Sequence, residues 1–254
     1  MPEQEVQQRV TNAARLLRIE PLMARRPGRL SGGERQRVGI GRALVREPAM
    51  FLMDEPLGHL EAYLRVELRA EIRRLQERLR ITTVYVTHDQ EEAAAVADRI
   101  VVMNAGRIQQ AGSFLDLFDH PVNRFVVEFV GEPPMVFLPV ERTTAHSIAL
   151  AGIPISLSEP LAAALQATGD SKLTLGISPG DISVAPPAPD HLSGEVTLVQ
   201  PQGEHAIVAV KTSVGPASVI VPSDRRPAAK GMVGLVFASE ALHLFDSAGS
   251  SILK

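Results

Sequence analysis

The sequence contains no cysteine and no tryptophan, and only 4% of its 254 residues are aromatic. The lack of cysteine excludes disulfide bonds and zinc sites built from thiolates. No run approaches the ~20 consecutive apolar residues of a membrane-spanning helix, and the polar, acidic N-terminus shows no secretory signal. We therefore expect any association with a membrane to be peripheral and to depend on a partner.

Lysine is absent before Lys172, and no Gly-x-x-x-x-Gly-Lys-[Ser/Thr] phosphate loop occurs anywhere in the chain. The net charge is −3 and the pI is about 6.2, whereas nucleic-acid-binding domains usually have a basic face. The arginines of the first 110 residues alternate with Glu and Asp, which is typical of solvated helix surfaces. We expect no nucleic-acid partner.

The first part of the chain alternates between helical and extended patterns. Apolar residues at helical spacing predict helices over residues 3–17, 33–45 and 61–80, and apolar or β-branched runs predict strands over 49–53 and 82–87. A strand, a helix and a second strand in this order predict a βαβ crossover and a parallel sheet. The wholly apolar first run indicates a strand buried on both faces in the middle of that sheet.

The pattern changes after residues 131–137. Short β-rich runs alternate with Gly and Pro, and the one further helical pattern is at residues 160–168. Many short strands with frequent turns predict a small β-barrel or sandwich. We therefore predict an α/β domain over residues 1–134 and an all-β domain over residues 135–254.

Ser31-Gly32-Gly33 lies directly before a predicted helix. Glycines let the backbone approach a ligand closely, and a helix N-terminus offers free N–H groups and partial positive charge, which suit a phosphate oxygen. The serine hydroxyl adds a directional donor. The alternative interpretation is an ordinary serine cap with glycines in the turn.

Asp54 and Glu55 follow the first predicted strand, at the carboxyl edge where parallel sheets bind ligands. Adjacent carboxylates at such a place require a cation or a water network. Asp54 is a candidate ligand for Mg²⁺, and Glu55 is a candidate for polarising an attacking water. The alternative is a surface turn in which the two residues cap a helix.

His88 follows the second predicted strand at the same edge. A histidine there could donate to a γ-phosphate and respond to its loss, as switch residues do in nucleotide hydrolases. The alternative is a capping or buried, hydrogen-bonded histidine. The other six histidines have no spacing typical of metal ligands.

Three blocks in this order, Leu30–Gln36, Asp54-Glu55 and Val86–Asp89, resemble the signature loop, Walker B strand and switch histidine of ABC transporter ATPases. The similarity extends over residues 3–138 and is greatest to the ATPase subunits of sugar importers. It implies part of a P-loop NTPase-like α/β domain, with a mostly parallel sheet and a helical subdomain. A small OB-like regulatory domain of the TOBE or MOP type would follow.

The resemblance also implies roles and partners. Two ATPase subunits would close head to tail around two ATP molecules, and the signature residues would contact ATP held by the partner subunit. Asp54 would bind Mg²⁺, and Glu55 and His88 would be catalytic. The complex would lie on the inner face of the cell membrane and bind transmembrane permease subunits. A solute-binding protein would deliver the solute to those permease subunits. The implied signature residues are Leu30, Ser31, Gly32, Gly33 and Gln36.

Several positions depart from the family pattern. Glu34 stands where Gln is usual, and the D-loop reads Gly58-His59-Leu60-Glu61 instead of Ser-Asn-Leu-Asp. The phosphate loop, the adenine-stacking aromatic residue and the glutamine loop would lie upstream of Met1. We therefore expect the chain alone to bind ATP weakly and to hydrolyse it negligibly, and we expect missing strands to leave an open sheet edge.

Two other functions remain open. The chain could be a non-catalytic partner or regulatory fragment that pairs with an intact ABC ATPase. Alternatively, residues 137–254 could sense a small ligand while the ATPase part is inert. The sequence does not identify the transported solute, because polyamine, iron and sulfate importers use similar ATPases.

Overall fold

The computed structural model describes residues 2–46, 48–58, 60, 62–131 and 133–253. The chain divides into two compact units, Met1–Asp98 and Arg99–Lys254. The domain boundary predicted between residues 134 and 135 falls inside the second unit and stays a prediction.

The first unit is a mixed α/β unit in which the βαβ crossover forms. Its two strands pair in parallel, with Met50 opposite Thr82 and Asp54 opposite Val86. The helix between them, Ala62–Leu79, lies within the helical pattern predicted over residues 61–80. The elements are α1 (Glu3–Leu16), α2 (Gly32–Leu44), β1 (Met50–Asp54), α3 (Ala62–Leu79), β2 (Thr82–Val86) and α4 (Gln90–Val96).

The core of this unit lies between the helices and one side of the strand pair. The apolar stripe of α3 provides its centre, because Leu68, Ile72 and Leu75 are all buried. They pack with Ile40 from α2 and with residues of α1 and α4. Burial of one such side chain contributes about 1.5–3 kcal/mol, so this stripe fixes α3 against the other helices.

The prediction that the first strand is buried on both faces is wrong. Side chains alternate along a strand, so Phe51 faces the core and is buried while its neighbours face the other way. Leu52 is 77% exposed. Within the described residues β1 and β2 form a sheet of only two strands, whereas parallel sheets are usually covered on both faces. The exposed apolar side chains of this face are Met50, Leu52, Val84 and Val86.

We expect this face to cause self-association, and Leu52→Thr to reduce it. Exposed apolar patches and unpaired strand edges both promote aggregation, and threonine keeps the β-propensity of the position. Light scattering across a concentration series should show a lower apparent mass for the variant. Val66→Thr is the matched control, because Val66 is 62% exposed on α3. An equal effect of both variants would contradict the role of the sheet face.

The second unit begins with a hairpin and two short helices. Strands β3 (Ile100–Asn104) and β4 (Arg107–Gly112) are antiparallel, and the turn residues Ala105 and Gly106 both have positive φ angles, of 47° and 75°, as a type I′ turn requires. Helices α5 (Phe114–Asp119) and α6 (Arg124–Val130) follow.

The described remainder of the second unit consists of two five-stranded antiparallel sheets with one α-helix, α7 (Glu159–Ala167), and three short 3-10 turns. Their strand orders are β12-β11-β10-β13-β9 and β14-β8-β5-β6-β7, and aliphatic side chains from both sheets form one core. The strands are β5 (Val136–Arg142), β6 (Ser147–Leu150), β7 (Ile153–Ser156), β8 (Lys172–Ile177), β9 (Ile182–Ala185), β10 (Leu192–Gln202), β11 (His205–Thr212), β12 (Gly215–Pro222), β13 (Met232–Phe237) and β14 (His243–Phe245).

The all-β character of this region agrees with its sequence pattern.

Across the part of the chain that the structure describes, every helix is too short or too polar to span a bilayer.

Candidate nucleotide site

Ser31 caps α2 and belongs to a capping box. The Glu34 N–H donates to Ser31 Oγ at 3.2 Å, and the Ser31 N–H donates to Glu34 Oε2 at 2.8 Å. The hydrogen bond from the Ser31 backbone lowers the pKa of Glu34. Glu34, which replaces the glutamine usual in the family that the sequence resembles, therefore keeps the cap. Its carboxylate forms a charge-assisted hydrogen bond with the Ser31 N–H. The remaining N–H groups at the start of α2 are free to bind an anion.

The loop before α2 is held in place on both sides. Leu30 is buried, and Arg35 Nη1 donates to its carbonyl oxygen at 2.7 Å. A Cβ atom on Gly32 would lie 2.9 Å from Leu60 Cδ2, so a larger residue there would displace Leu60. This close approach connects the predicted signature loop to the predicted D-loop. Gly33 is buried at the first turn of α2.

A cleft of about 870 Å³ lies between α2 and the end of β1. It brings together five of the residues selected from the sequence. Ser31 lies at the N-terminus of α2, outside the cleft lining, and His59 and Glu61 lie outside the described residues. The selected residues that line the cleft are Gly32, Gln36, Asp54, Glu55 and Leu60.

Glu55 and His88 are in direct contact. Glu55 Oε1 lies 3.1 Å from His88 Nδ1, and both side chains are at least half exposed. The backbone of Glu55 has φ of +42°, a left-handed conformation that is uncommon outside glycine and recurs at functional sites. Its N–H donates to Val86 O at 2.8 Å, and its carbonyl accepts from Gly58 N at 3.2 Å, which fixes this conformation.

Asp54 is exposed in the same cleft. Mg²⁺ in nucleotide sites is usually held by one or two carboxylates together with phosphate oxygens and water. A single accessible aspartate fits that role. No group of three or more metal-ligating side chains occurs among the residues with described positions, so phosphate oxygens would have to supply further ligands.

Sequence reasoning missed the side chains that hold α4. Arg65, Arg69 and Arg73 follow one another at four-residue intervals along α3 and pair with Asp89, Glu91 and Asp98 at 3.3, 2.8 and 2.8 Å. The i, i+4, i+8 spacing of arginines, with acidic residues around α4, was the available signal.

The second unit has its own cavity, of about 690 Å³. His243 lines it, and burial lowers the pKa of that histidine, with Asp119 and Asp181 opposing the shift and His120 adding to it. The imidazole is therefore neutral at physiological pH. The cavity has a mixed polar and apolar lining that could accept a small molecule.

The first unit is thus an α/β unit that has two adjacent acidic residues and a histidine at one sheet edge. A β-rich region follows it in the chain. Residues 1–58 match the family model described as ABC transporter, and residues 175–245 match the model described as TOBE domain. The chain belongs to the ABC transporter ATP-binding family. This family hydrolyses ATP to drive transport.

Three curated relatives illustrate the similarity. The chain is 44% identical to the sn-glycerol-3-phosphate import ATP-binding protein UgpC 3 of Agrobacterium fabrum, over 99% of this chain and 70% of that protein. It is 42% identical to UgpC of Chromohalobacter salexigens, over 99% and 68%. It is 40% identical to the xylose/arabinose import ATP-binding protein XacK of Haloferax volcanii, over 100% and 67%. The chain thus spans about two thirds of the length of these relatives.

Proposed function

We propose that this chain is an ATP-binding subunit of an ABC importer for a sugar or a related polyol phosphate. Relatives at 40–44% identity, whose names specify import of glycerol 3-phosphate or pentoses, support the solute class. The observation that carries the catalytic part is the contact between Glu55 and His88 beside Asp54 at one sheet edge.

Three residues at this sheet edge would divide the work in hydrolysis. Asp54 would hold Mg²⁺ on the phosphates of ATP, which supplies charge neutralisation. Glu55 would accept the proton of the attacking water, and His88 would orient Glu55 and donate to the γ-phosphate. The 254 residues contain no phosphate loop, so the chain alone would bind ATP weakly and hydrolyse it negligibly.

The signature residues would act in trans. Leu30, Ser31, Gly32, Gly33 and Gln36 would face ATP held by a second ABC ATPase subunit. Both subunits would lie on the cytoplasmic face of the membrane, against permease subunits fed by a solute-binding protein. The N-terminus of α2, with its free N–H groups and its fixed loop, supports this role.

The proposal is tested by complementation of an intact ABC ATPase subunit whose own signature loop has been disabled. We expect this chain to restore Mg²⁺-ATP hydrolysis in the mixture, and Ser31→Ala to lower the restored rate by about 10²-fold, as loss of one transition-state donor does. Ser113→Ala is the matched control, because Ser113 also forms a capping box, with Asp116 on α5. It should lower stability without lowering the rate.

Two results would count against it. If the mixture of the unchanged chain and the disabled subunit does not hydrolyse ATP, the proposed pairing of the two subunits is contradicted. Binding of the partner without any dependence of hydrolysis on Ser31 would favour the alternative, a non-catalytic partner or regulatory fragment.

A second candidate function is sensing of a small ligand by the second unit. The cavity of about 690 Å³ beside His243 favours it. Ligand-dependent stabilisation of the full chain that survives Glu55→Gln and Ser31→Ala would separate this role from nucleotide binding.

A further inference from the structure

Glu92 is the one buried charged side chain in the part of the chain that the structure describes, with 1% of its surface exposed. It lies in the first turn of α4, four residues after His88. Burial of a carboxylate is strongly unfavourable unless hydrogen bonds compensate it. The position of Glu92 therefore requires an explanation.

Two hydroxyl groups of the preceding strand and loop bind this carboxylate. Tyr85 Oη and Thr87 Oγ1 both donate to Glu92 Oε2 at 2.9 Å. Burial, followed by the hydrogen bond to Glu92, raises the pKa of Tyr85. The phenol therefore stays protonated at neutral pH and remains a donor.

The hydroxyl of Thr87, the residue before His88, also binds the backbone of Asp89, the residue after it. It accepts from the Asp89 N–H at 3.0 Å, while Asp89 Oδ1 accepts from the Glu92 N–H at 3.0 Å. Glu92, Thr87 and Asp89 thus form a closed hydrogen-bonded ring around the backbone that carries His88. Arg65 adds a second restraint through Asp89 Oδ2 at 3.3 Å.

This arrangement differs from an ordinary capping box. In a capping box the glutamate at the third helical position returns to the N–H of the cap residue. Here the Asp89 N–H is bound by Thr87 instead, and the Glu92 carboxylate is directed to the strand. The carboxylate of Glu92 therefore stabilises the loop that contains Thr87 rather than the N-terminus of the helix.

We propose that Glu92 is a positioning residue for the switch histidine, acting through Thr87. The imidazole of His88 is 72% exposed, so its placement against Glu55 depends on the backbone from Thr87 to Asp89. A charged acceptor makes the Thr87 hydrogen bond stronger than a neutral one would be. The importance of this positioning for catalysis rests on the proposed function, whereas the hydrogen bonds of Glu92, Thr87 and Asp89 are a property of the chain alone.

The test is ¹⁵N-histidine NMR of the full chain, with His88 assigned by His88→Gln. In the unchanged chain, Glu55→Gln should shift the ring nitrogen resonances of His88. In Thr87→Val, which keeps the side-chain shape but lacks the hydroxyl, the same Glu55→Gln change should leave those resonances unmoved. Hydrogen exchange of the Asp89 amide should become at least about tenfold faster, because its bond to Thr87 is lost.

Two further variants separate positioning from general loss of stability. Thr87→Ser restores a hydroxyl and should restore the response of His88 to Glu55. Tyr85→Phe removes an equally short hydrogen bond to the same oxygen of Glu92 from a residue that is not adjacent to His88 in sequence, and should lower stability while leaving the His88 response intact. Glu92→Ala should reproduce the effect of Thr87→Val if it folds.

Two outcomes would overturn the proposal. One is a His88 resonance that still responds to Glu55 in Thr87→Val, and the other is an equal loss of the response in Tyr85→Phe. If the NMR results are as expected but Thr87→Val does not change ATP hydrolysis once the chain is joined to a segment that carries a phosphate loop, the positioning stands and the catalytic role proposed for His88 fails.

Discussion

Replacement of Glu55 by Gln is expected to lower ATP hydrolysis by about 10²–10⁴-fold once the chain is joined to a segment that carries a phosphate loop. This range is typical for loss of a general base. Glutamine keeps the size of the side chain and its contact with His88, but it cannot accept a proton from water. The rate constant at saturating Mg²⁺-ATP, measured on the chimera with and without the substitution, provides the test.

The control is Glu91→Gln, the same chemical change outside the cleft. Glu91 is an exposed residue of α4 whose carboxylate pairs with Arg69 at 2.8 Å. Its replacement should leave the rate within about a factor of two, since surface ion pairs contribute little. Hydrolysis by the purified 254-residue chain, lost on Glu55→Gln, would falsify the expectation that this chain alone is inactive.

Phe245→Ala is expected to destabilise the second unit by about 3–5 kcal/mol, as truncation of a buried aromatic ring does. Phe245 is fully buried, and its ring meets that of Phe137 edge-on, with the centroids 5.8 Å apart. It packs with Val127 of α6 and with Met135. The ring thus joins α6 to the sheet that contains β5 and β14.

The two units can be followed separately in one denaturation experiment. Both tyrosines, Tyr63 and Tyr85, lie in the first unit, so tyrosine fluorescence reports that unit and far-UV circular dichroism reports both. Phe245→Ala should shift the dichroism transition and leave the fluorescence transition in place. Leu115→Ala is the control, because Leu115 is 66% exposed on α5, and it should change stability by less than about 0.5 kcal/mol. A similar shift for both variants would contradict the role assigned to Phe245.

Local signals were sufficient for the elements around the candidate site. Three local patterns each define one element through nearest neighbours in sequence: the serine cap and first-turn glycines of α2, the apolar run of β1 and the β-branched run of β2. The carboxyl ends of the two strands meet because they are parallel. That is why Glu55 and His88, 33 residues apart, could be expected at one edge.

Other features depend on partners distant in sequence. A short apolar run has the same composition whether one or both faces are covered, so the exposure of Leu52 could not be read from it. The same applies to strands β5–β7, β9 and β14, whose pairing partners lie up to 71 residues away in sequence, as Phe245 and Thr174 do. Short strands of this kind carry weak signals of their own.

The amino-acid sequence by itself determined the family, the order of the candidate site motifs and the βαβ unit that carries them, because each depends on residue types at fixed short spacings. The tertiary structure alone decided which face of that unit is exposed and that Glu92 turns away from its own helix to bind Thr87. Burial and side-chain direction are set by packing between elements, and no local pattern encodes them.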